Sequence, residues 1–320
     1  MSVPVRAYQH GSYPRSEAVV AATRGVERGR TTQAEVDAAY DADLDDFVAA
    51  QRAAGLDLYS NGLIRWQDIF RPLVDLSGGM DARTLVRWFD TNSFFRAPEV
   101  TGDLTLDRAV PSDVEDDSRV PEPRLATLPS PYLFSRAAHT SQERNGLMMD
   151  LTREILRPVT EALVARGYAL IHLEEPWLPY FGIDGGDWGD VEKALMELRE
   201  ASEGARLVLH TSFGDAGPYI DRLRRLPVDA VGVDFVETDL DELGARWEVG
   251  IVAGILDGRR SPLEPSDQAA EFVVRVAETL EPSSVWITSN SDLEMLPQEV
   301  ARRKVVRLGE VSALVKDRLR

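Results

Sequence analysis

The stretch LVLHTSFGD, Leu207–Asp215, places an imidazole where a strand runs out. An apolar run leads into His210, and a small polar pair and Gly214 follow. That is the pattern of a buried parallel strand delivering a histidine into the loop at its carboxyl end. The chain has four histidines in all: His10, His139, His172 and His210. An imidazole there can act as acid, base or metal ligand; its plainer role is to cap a strand end by hydrogen bonding.

Other apolar runs end in comparable residues. In chain order they are Gly11-Ser12, Asn61-Gly62, Ser130, Glu174-Glu175, His210-Thr211-Ser212, Asp234 with Glu237, Asp257 with Arg259, and Ser289-Asn290-Ser291-Asp292. If these ends share one mouth, as strand ends do in an α/β barrel, they make a carboxylate-rich site with one imidazole and a nearby guanidinium. Such a set suits acid–base work or the holding of a cation. Arg65 and Asp68 fall close to the second of these ends, inside the aromatic and polar cluster Arg65–Phe70.

The elements that must position these groups follow a regular rhythm. Strands are expected at Val3–Ala7, Leu58–Asn61, Arg124–Leu128, Tyr168–Pro176, Arg206–Ser212, Ala230–Thr238, Val249–Gly258 and Ser284–Asn290. Helices are expected over Glu17–Arg28, Thr31–Gly55, Leu147–Gly167, Asp187–Ala201, Tyr219–Leu226, Asp239–Arg246, Ser266–Leu280 and Pro297–Arg320. Thr31 or Thr32 with Glu35 forms a capping box, Gly55 stops that helix, and Pro158 should kink its own. Eight strands with intervening helices predict a single (β/α)8 TIM barrel over residues 1–320. The segment Ala82–Leu106 departs from the rhythm. Its β-branched and aromatic residues predict a hairpin insertion between the second and third strands, within about residues 80–124. Asp113–Pro123 is acidic and proline-bearing and reads as an exposed link. A doubly wound sheet is the competing fold, but Gly11 alone does not make a glycine-rich phosphate loop, so no nucleotide cofactor is expected.

Composition narrows the function. With 43% hydrophobic and 28% charged residues the chain is that of an ordinary globular protein. No cysteine is present, which excludes thiolate metal sites, disulfides and cysteine nucleophiles. A net charge of −18 opposes nucleic acids and anionic membranes as partners. No apolar run is long enough to span a bilayer and the amino terminus has no signal-like core, so a cytoplasmic protein is expected.

GSYPRS, GLDLYSNGLIRWQDIF, WFDTNSFFRAPEV, LIHLEEPWL, LVLHTSFGD, VDFVET and VWITSNSDLE occur in this order across nearly the whole chain. On these motifs the chain resembles the C-terminal catalytic barrel of cobalamin-independent methionine synthase, in the superfamily that includes uroporphyrinogen decarboxylase. The resemblance implies the same barrel fold and a zinc ion that activates a homocysteine thiol. The family's zinc ligands are a histidine, a glutamate and two cysteines. They fall on His210, Glu237, Ser212 and Ser291, so both thiolates are replaced by serine. The resemblance also implies a substrate carboxylate at the amides of Gly11 and Ser12. Leu63 stands where the family has an amine-binding glutamate, Glu174 where it has an aspartate, and Arg259 where it has a proton-shuttling histidine.

Three functions follow as expectations. The first is a divergent core methyltransferase moving a methyl or alkyl group to a homocysteine-like amino acid from a folate or corrinoid donor. His210, Glu174 and Arg259 would be its catalytic groups, and Gly11, Ser12, Asn61, Arg65, Asp68, Glu175 and Ser212 would contact substrate. Zinc or another divalent metal would be held by His210 and Glu237. The second is a metal-independent lyase or decarboxylase using Glu174, Glu175 and His210 for acid–base chemistry, with Arg65 or Arg259 as carboxylate clamp. The third is a binding relative without catalysis.

Overall fold

The computed structural model describes residues 3–110 and 118–320; the acidic part of the expected link, residues 111–117, lies outside them. Seven parallel strands form one sheet: β1 (Val5–Ala7), β4 (Arg124–Pro129), β5 (Tyr168–Glu175), β6 (Arg206–Thr211), β7 (Ala230–Asp234), β8 (Gly250–Leu256) and β9 (Val285–Ser289). Their order is β1-β9-β8-β7-β6-β5-β4. Between β1 and β4 runs the segment 57–59. The Asp57 amide donates to Ala7 O (2.8 Å), the Tyr59 amide to Pro123 O (3.0 Å) and the Leu125 amide to Tyr59 O (3.0 Å). This segment was expected as a full strand, but its pairing amounts to a single bridge, Tyr59 to Arg124.

Side-chain alternation along each strand assigns two surfaces. One apolar cluster takes Tyr8, Leu58, Leu125, Leu170, Val208, Ala230, Val252 and Trp286, one residue from each of the seven strand paths and from segment 57–59. The opposite face, with Ile171, Leu173, Leu207, Leu209, Val231 and Val233, joins the larger core packed under the helices. Counting two residues onward from the first cluster reaches His10, Ser60, Thr127, His172, His210, Gly232, Gly254 and Thr288. Period two therefore stacks a polar layer directly above an apolar one.

The helix Gln33–Ala54 has the expected capping box on Thr32 and Glu35 and ends on Gly55 at φ 67°. The helix expected over Leu147–Gly167 is interrupted just before Pro158. The helix Arg144–Leu151 passes through a π-helical turn, Thr152–Leu156, into the helix Arg157–Ala165, with Pro158 in the first turn of the latter. The wider π turn accommodates the missing amide and the ring that would press on the preceding turn. The helix expected over Asp239–Arg246 is only a 3-10 turn, Leu240–Glu242, because Gly244 and Arg246 both take positive φ and end any continuation.

β2 (Ser77–Arg87) and β3 (Phe94–Leu106) form a separate antiparallel hairpin. Its tip reaches several loops that leave the sheet. Phe89 stacks on Phe213 with ring centres 5.3 Å apart and lies edge-on to Trp177 at 6.1 Å. Arg259 donates to Asp90 (2.7 Å), and Ser93 donates to Glu294 (2.8 Å). The hairpin thus ties down the loops after β5, β6, β8 and β9. No helix among the described residues is long and apolar enough to cross a membrane.

Candidate active site

The polar layer above the inner apolar cluster contains three imidazoles. His10 stacks on His172 with centroids 4.2 Å apart, and His210 lies edge-on to both, at 4.7 and 5.1 Å. All three are buried. His10 continues the path of β1, while His172 and His210 are delivered by β5 and β6. Glycines on the neighbouring strands make room for them. A Cβ on Gly232, the register partner of His210, would lie 2.4 Å from the imidazole Cδ2, and one on Gly254 would lie 3.1 Å from Nε2.

Hydrogen bonding fixes some of the ring nitrogens. His10 Nε2 faces Ser289 O at 3.2 Å, an acceptor only, so Nε2 carries the proton. His10 Nδ1 then shares a proton with Glu174 Oε1, 3.2 Å away. His172 Nδ1 meets the Tyr8 hydroxyl at 3.0 Å. His172 Nε2 and both nitrogens of His210 are buried with no hydrogen-bond partner.

Carboxylates complete the site. Glu174, Asp292 and His10 bring their ligand atoms within 4.8 Å of one another. Burial pushes Glu174 up to about 7. Asp292 is pushed well above the usual carboxylate range by burial and then by the adjacent charges of Glu174 and Glu294. Burial holds His10 below the ordinary histidine value, and His172 and His210 well below it. At neutral pH the imidazoles are therefore neutral, and protons reside on the carboxyls. Asp234, on the interior face of β7, is also raised to about 7 by burial and accepts from Asn290 at 3.0 Å.

Several expected site residues are placed elsewhere. Glu237 is exposed, carried outward by the turn in which the amides of Glu237 and Thr238 bond to Asp234 O. The pair His210–Glu237 is thus not assembled, and Asp234 takes the interior position instead. Arg259 pairs with Asp90 and lies 5.1 Å over the Phe213 ring, at the rim. Arg65 pairs with Asp41 (2.5 Å) and lies over Tyr40. Asp68 accepts from the amides of Phe70, Arg71 and Arg96, joining a short helix to the hairpin. It also borders a cavity of about 30 Å³ with Ser12, Trp88, Phe95, Asp292 and Glu294. Asn61 accepts from the Leu63 amide. Ser212 and Ser291 are buried, Ser291 donating to Asn290. The Gly11 amide donates to Thr127 (3.1 Å) and the Ser12 amide to Asp292 (2.7 Å), so both amides expected to meet a substrate carboxylate are engaged within the protein.

Glu175 points away from Glu174, as alternation requires. It accepts from the Ser130 hydroxyl and from the amides of Leu133 (3.2 Å) and Leu178 (2.8 Å), which begin two helices. Burial nonetheless raises it to about 7, against about 4.3 for an unfolded glutamate. Between those values the native chain keeps a proton that the unfolded chain has released. The contribution of Glu175 is therefore full below the unfolded value and is lost as pH rises through about 7. The stability of the wild type relative to Glu175→Gln is expected to fall by up to about 1.4 kcal/mol per pH unit between about pH 5 and 7. Urea denaturation of both proteins across that range checks it; a difference that grows with pH contradicts control by burial.

His10, His172 and Asp292 were not assigned roles from the sequence. His10 directly precedes Gly11-Ser12, and His172 precedes Glu174 by two residues on one strand, so alternation alone puts His172 and Glu174 on the same face.

A family model described as "Cobalamin-independent synthase, N-terminal domain" matches residues 77–280, well over half of the chain. The motifs had pointed to the C-terminal barrel of that enzyme; the matching description is of its N-terminal domain. A methionine synthase of Sulfolobus acidocaldarius is 22% identical over 97% of this chain and 92% of its own. One from Saccharolobus solfataricus is 23% identical over 97% and 94%. A solved B12-independent methionine synthase from Shewanella sp. W3-18-1, in complex with selenomethionine, superposes with a TM-score of 0.78 at 17% identity, covering 100% of this chain and 99% of that one. A putative vitamin-B12-independent methionine synthase from Listeria monocytogenes gives a TM-score of 0.75 at 17% identity, covering 99% and 98%. These two show the fold.

Proposed function

The chain belongs to the cobalamin-independent synthase family, and from that premise we propose that it transfers a methyl group to the sulfur of a homocysteine-like amino acid at the mouth of a single (β/α)8 barrel. Segment 57–59 supplies the eighth strand position, since Leu58 contributes to the same inner cluster as the seven strands. The β2–β3 hairpin is an insertion that covers the mouth. The observation that carries the reading is the buried His10–Glu174–Asp292 cluster at the strand ends, with Glu174 near 7. Buried ionisable groups of this kind cost stability, which favours a catalytic role over a purely binding one.

The zinc implied by the methionine synthase resemblance does not fit the residues expected to hold it. Glu237 is outside, and the two serines replace thiolates that a soft metal site needs. The acceptor thiol gives its proton to the Glu174–His10 pair, which is poised close to neutrality for that exchange. The thiolate sulfur then forms a bond to the donor methyl carbon. As the bond to the donor breaks, its electron pair stays on the leaving atom, which for an N-methyl folate recovers the proton held on Glu174. Glu294 offers a carboxylate, and Asp292 a carboxyl oxygen, to the acceptor's ammonium group. A methylcorrinoid is the alternative donor.

A decarboxylase reading needs Arg65 or Arg259 as clamp, and both are engaged by aspartates, Asp41 and Asp90. Geometry thus favours methyl transfer. The test is transfer of labelled methyl from a methylfolate or a methylcorrinoid to homocysteine, set against CO₂ release from candidate acids without a donor. Product methionine supports the reading; donor-independent CO₂ release overturns it.

A further inference from the structure

We propose that His10, His172 and His210 together bind one divalent first-row metal ion inside the barrel, at a site distinct from the His210–Glu237 pair. Their ligand nitrogens lie within 4.8 Å of one another. Two of the three imidazoles have buried ring nitrogens with no partner: Nε2 of His172, and both nitrogens of His210. Leaving a buried polar atom unpaired costs about 1–3 kcal/mol, and one ion can partner His172 Nε2 together with one ring nitrogen of His210.

The other nitrogens already have orienting contacts of the kind that metal-bound histidines receive. The Tyr8 hydroxyl meets His172 Nδ1, and Ser289 O takes the proton of His10 Nε2. That leaves His172 Nε2 unpartnered, while an ion on His10 Nδ1 would take the place of the proton that Nδ1 shares with Glu174. Gly232 and Gly254 supply the space for His210, where any larger residue would press on its ring.

Donor chemistry selects the ion. Imidazole nitrogen suits zinc, cobalt, nickel or iron(II), whereas calcium and magnesium prefer oxygen ligands. Three protein ligands are typical of a metal that also takes a small molecule. The site depends on the barrel interior and not on the methyl-transfer reading: stoichiometric metal without methyl transfer would leave this inference standing and overturn only that reading.

The test is a cobalt(II) titration of the chelator-stripped full chain, followed by visible absorption and by histidine ring NMR. One equivalent is expected to give saturable d–d absorption and to displace the ring signals of His10, His172 and His210. The exposed His139 should stay in place as an internal control. His172→Gln and His210→Gln should each weaken binding by more than about 100-fold, since losing a ligand must exceed the 10–100-fold effect of losing an outer-sphere partner. Glu237→Ala should leave the titration unchanged. Absence of saturable binding, displacement of His139 instead of the trio, or dependence on Glu237 would overturn the assignment. The wild-type NMR result decides the matter even if a variant fails to fold.

Discussion

Glu174→Gln is expected to lower kcat/KM for methyl transfer by about 10²–10⁴-fold while leaving the fold intact. Glutamine matches the size of glutamate and can still hydrogen-bond to His10, so the neighbourhood stays filled. What it cannot do is carry a proton. In the wild type, burial holds the carboxyl near 7, and Glu174 faces an imidazole nitrogen at 3.2 Å whose opposite side is fixed by a carbonyl. The pair can therefore take up and return one proton near neutral pH. The loss should fall mainly on kcat, because the ammonium contacts assigned to Asp292 and Glu294 remain. Steady-state kinetics with circular dichroism as a folding control measures this. A variant with wild-type kcat would remove Glu174 from the chemistry.

Gly232→Ala is expected to destabilise the protein by about 1–3 kcal/mol. Two effects compete. Replacing glycine stabilises by about 0.4–1 kcal/mol through the unfolded chain where the native backbone suits alanine. Against this, the new Cβ would lie 2.4 Å from the ring of His210, far inside the roughly 3.5–4.0 Å of carbon–carbon contact. The ring is rigid and backed by His10 and His172, so the clash should win. The cost should shrink when His210 is already glycine, which removes the His210 Cβ at 2.7 Å as well as the ring, giving a coupling of about 1 kcal/mol or more. Urea denaturation of the four proteins in the cycle reads it. Equal costs in both backgrounds would mean that Gly232 does not serve the imidazole.

Much of the fold was legible because it is periodic. The parallel strands, the Thr32–Glu35 capping box, the Gly55 stop and a hairpin over Ala82–Leu106, which in the structure begins earlier at Ser77, all follow from local pattern. Pro158 was visible, but not the π turn that absorbs it, since that depends on the whole helix. The site was less legible. Glu174 and His210 could be found at strand ends, and alternation could have added His172. Glu237, Arg259 and Arg65 are turned toward solvent or other partners for a different reason. Each stands beyond or between regular elements, where the turn and the nearest opposite charge, not a period, decide the direction of a long side chain. Glu175 shows the same point within a strand: adjacent to Glu174, it faces the helices and serves two of their amino termini.

The central claim is that the His10–Glu174–Asp292 cluster serves methyl transfer to a thiol. Its most direct test is a single-turnover reaction of the purified chain with a deuterated methyl donor and homocysteine, read by mass spectrometry. The account predicts deuterated methionine with the wild type and a rate lower by about 10²-fold or more with Glu174→Gln. Methionine formed equally fast by both proteins, or none formed from either a methylfolate or a methylcorrinoid, would contradict it.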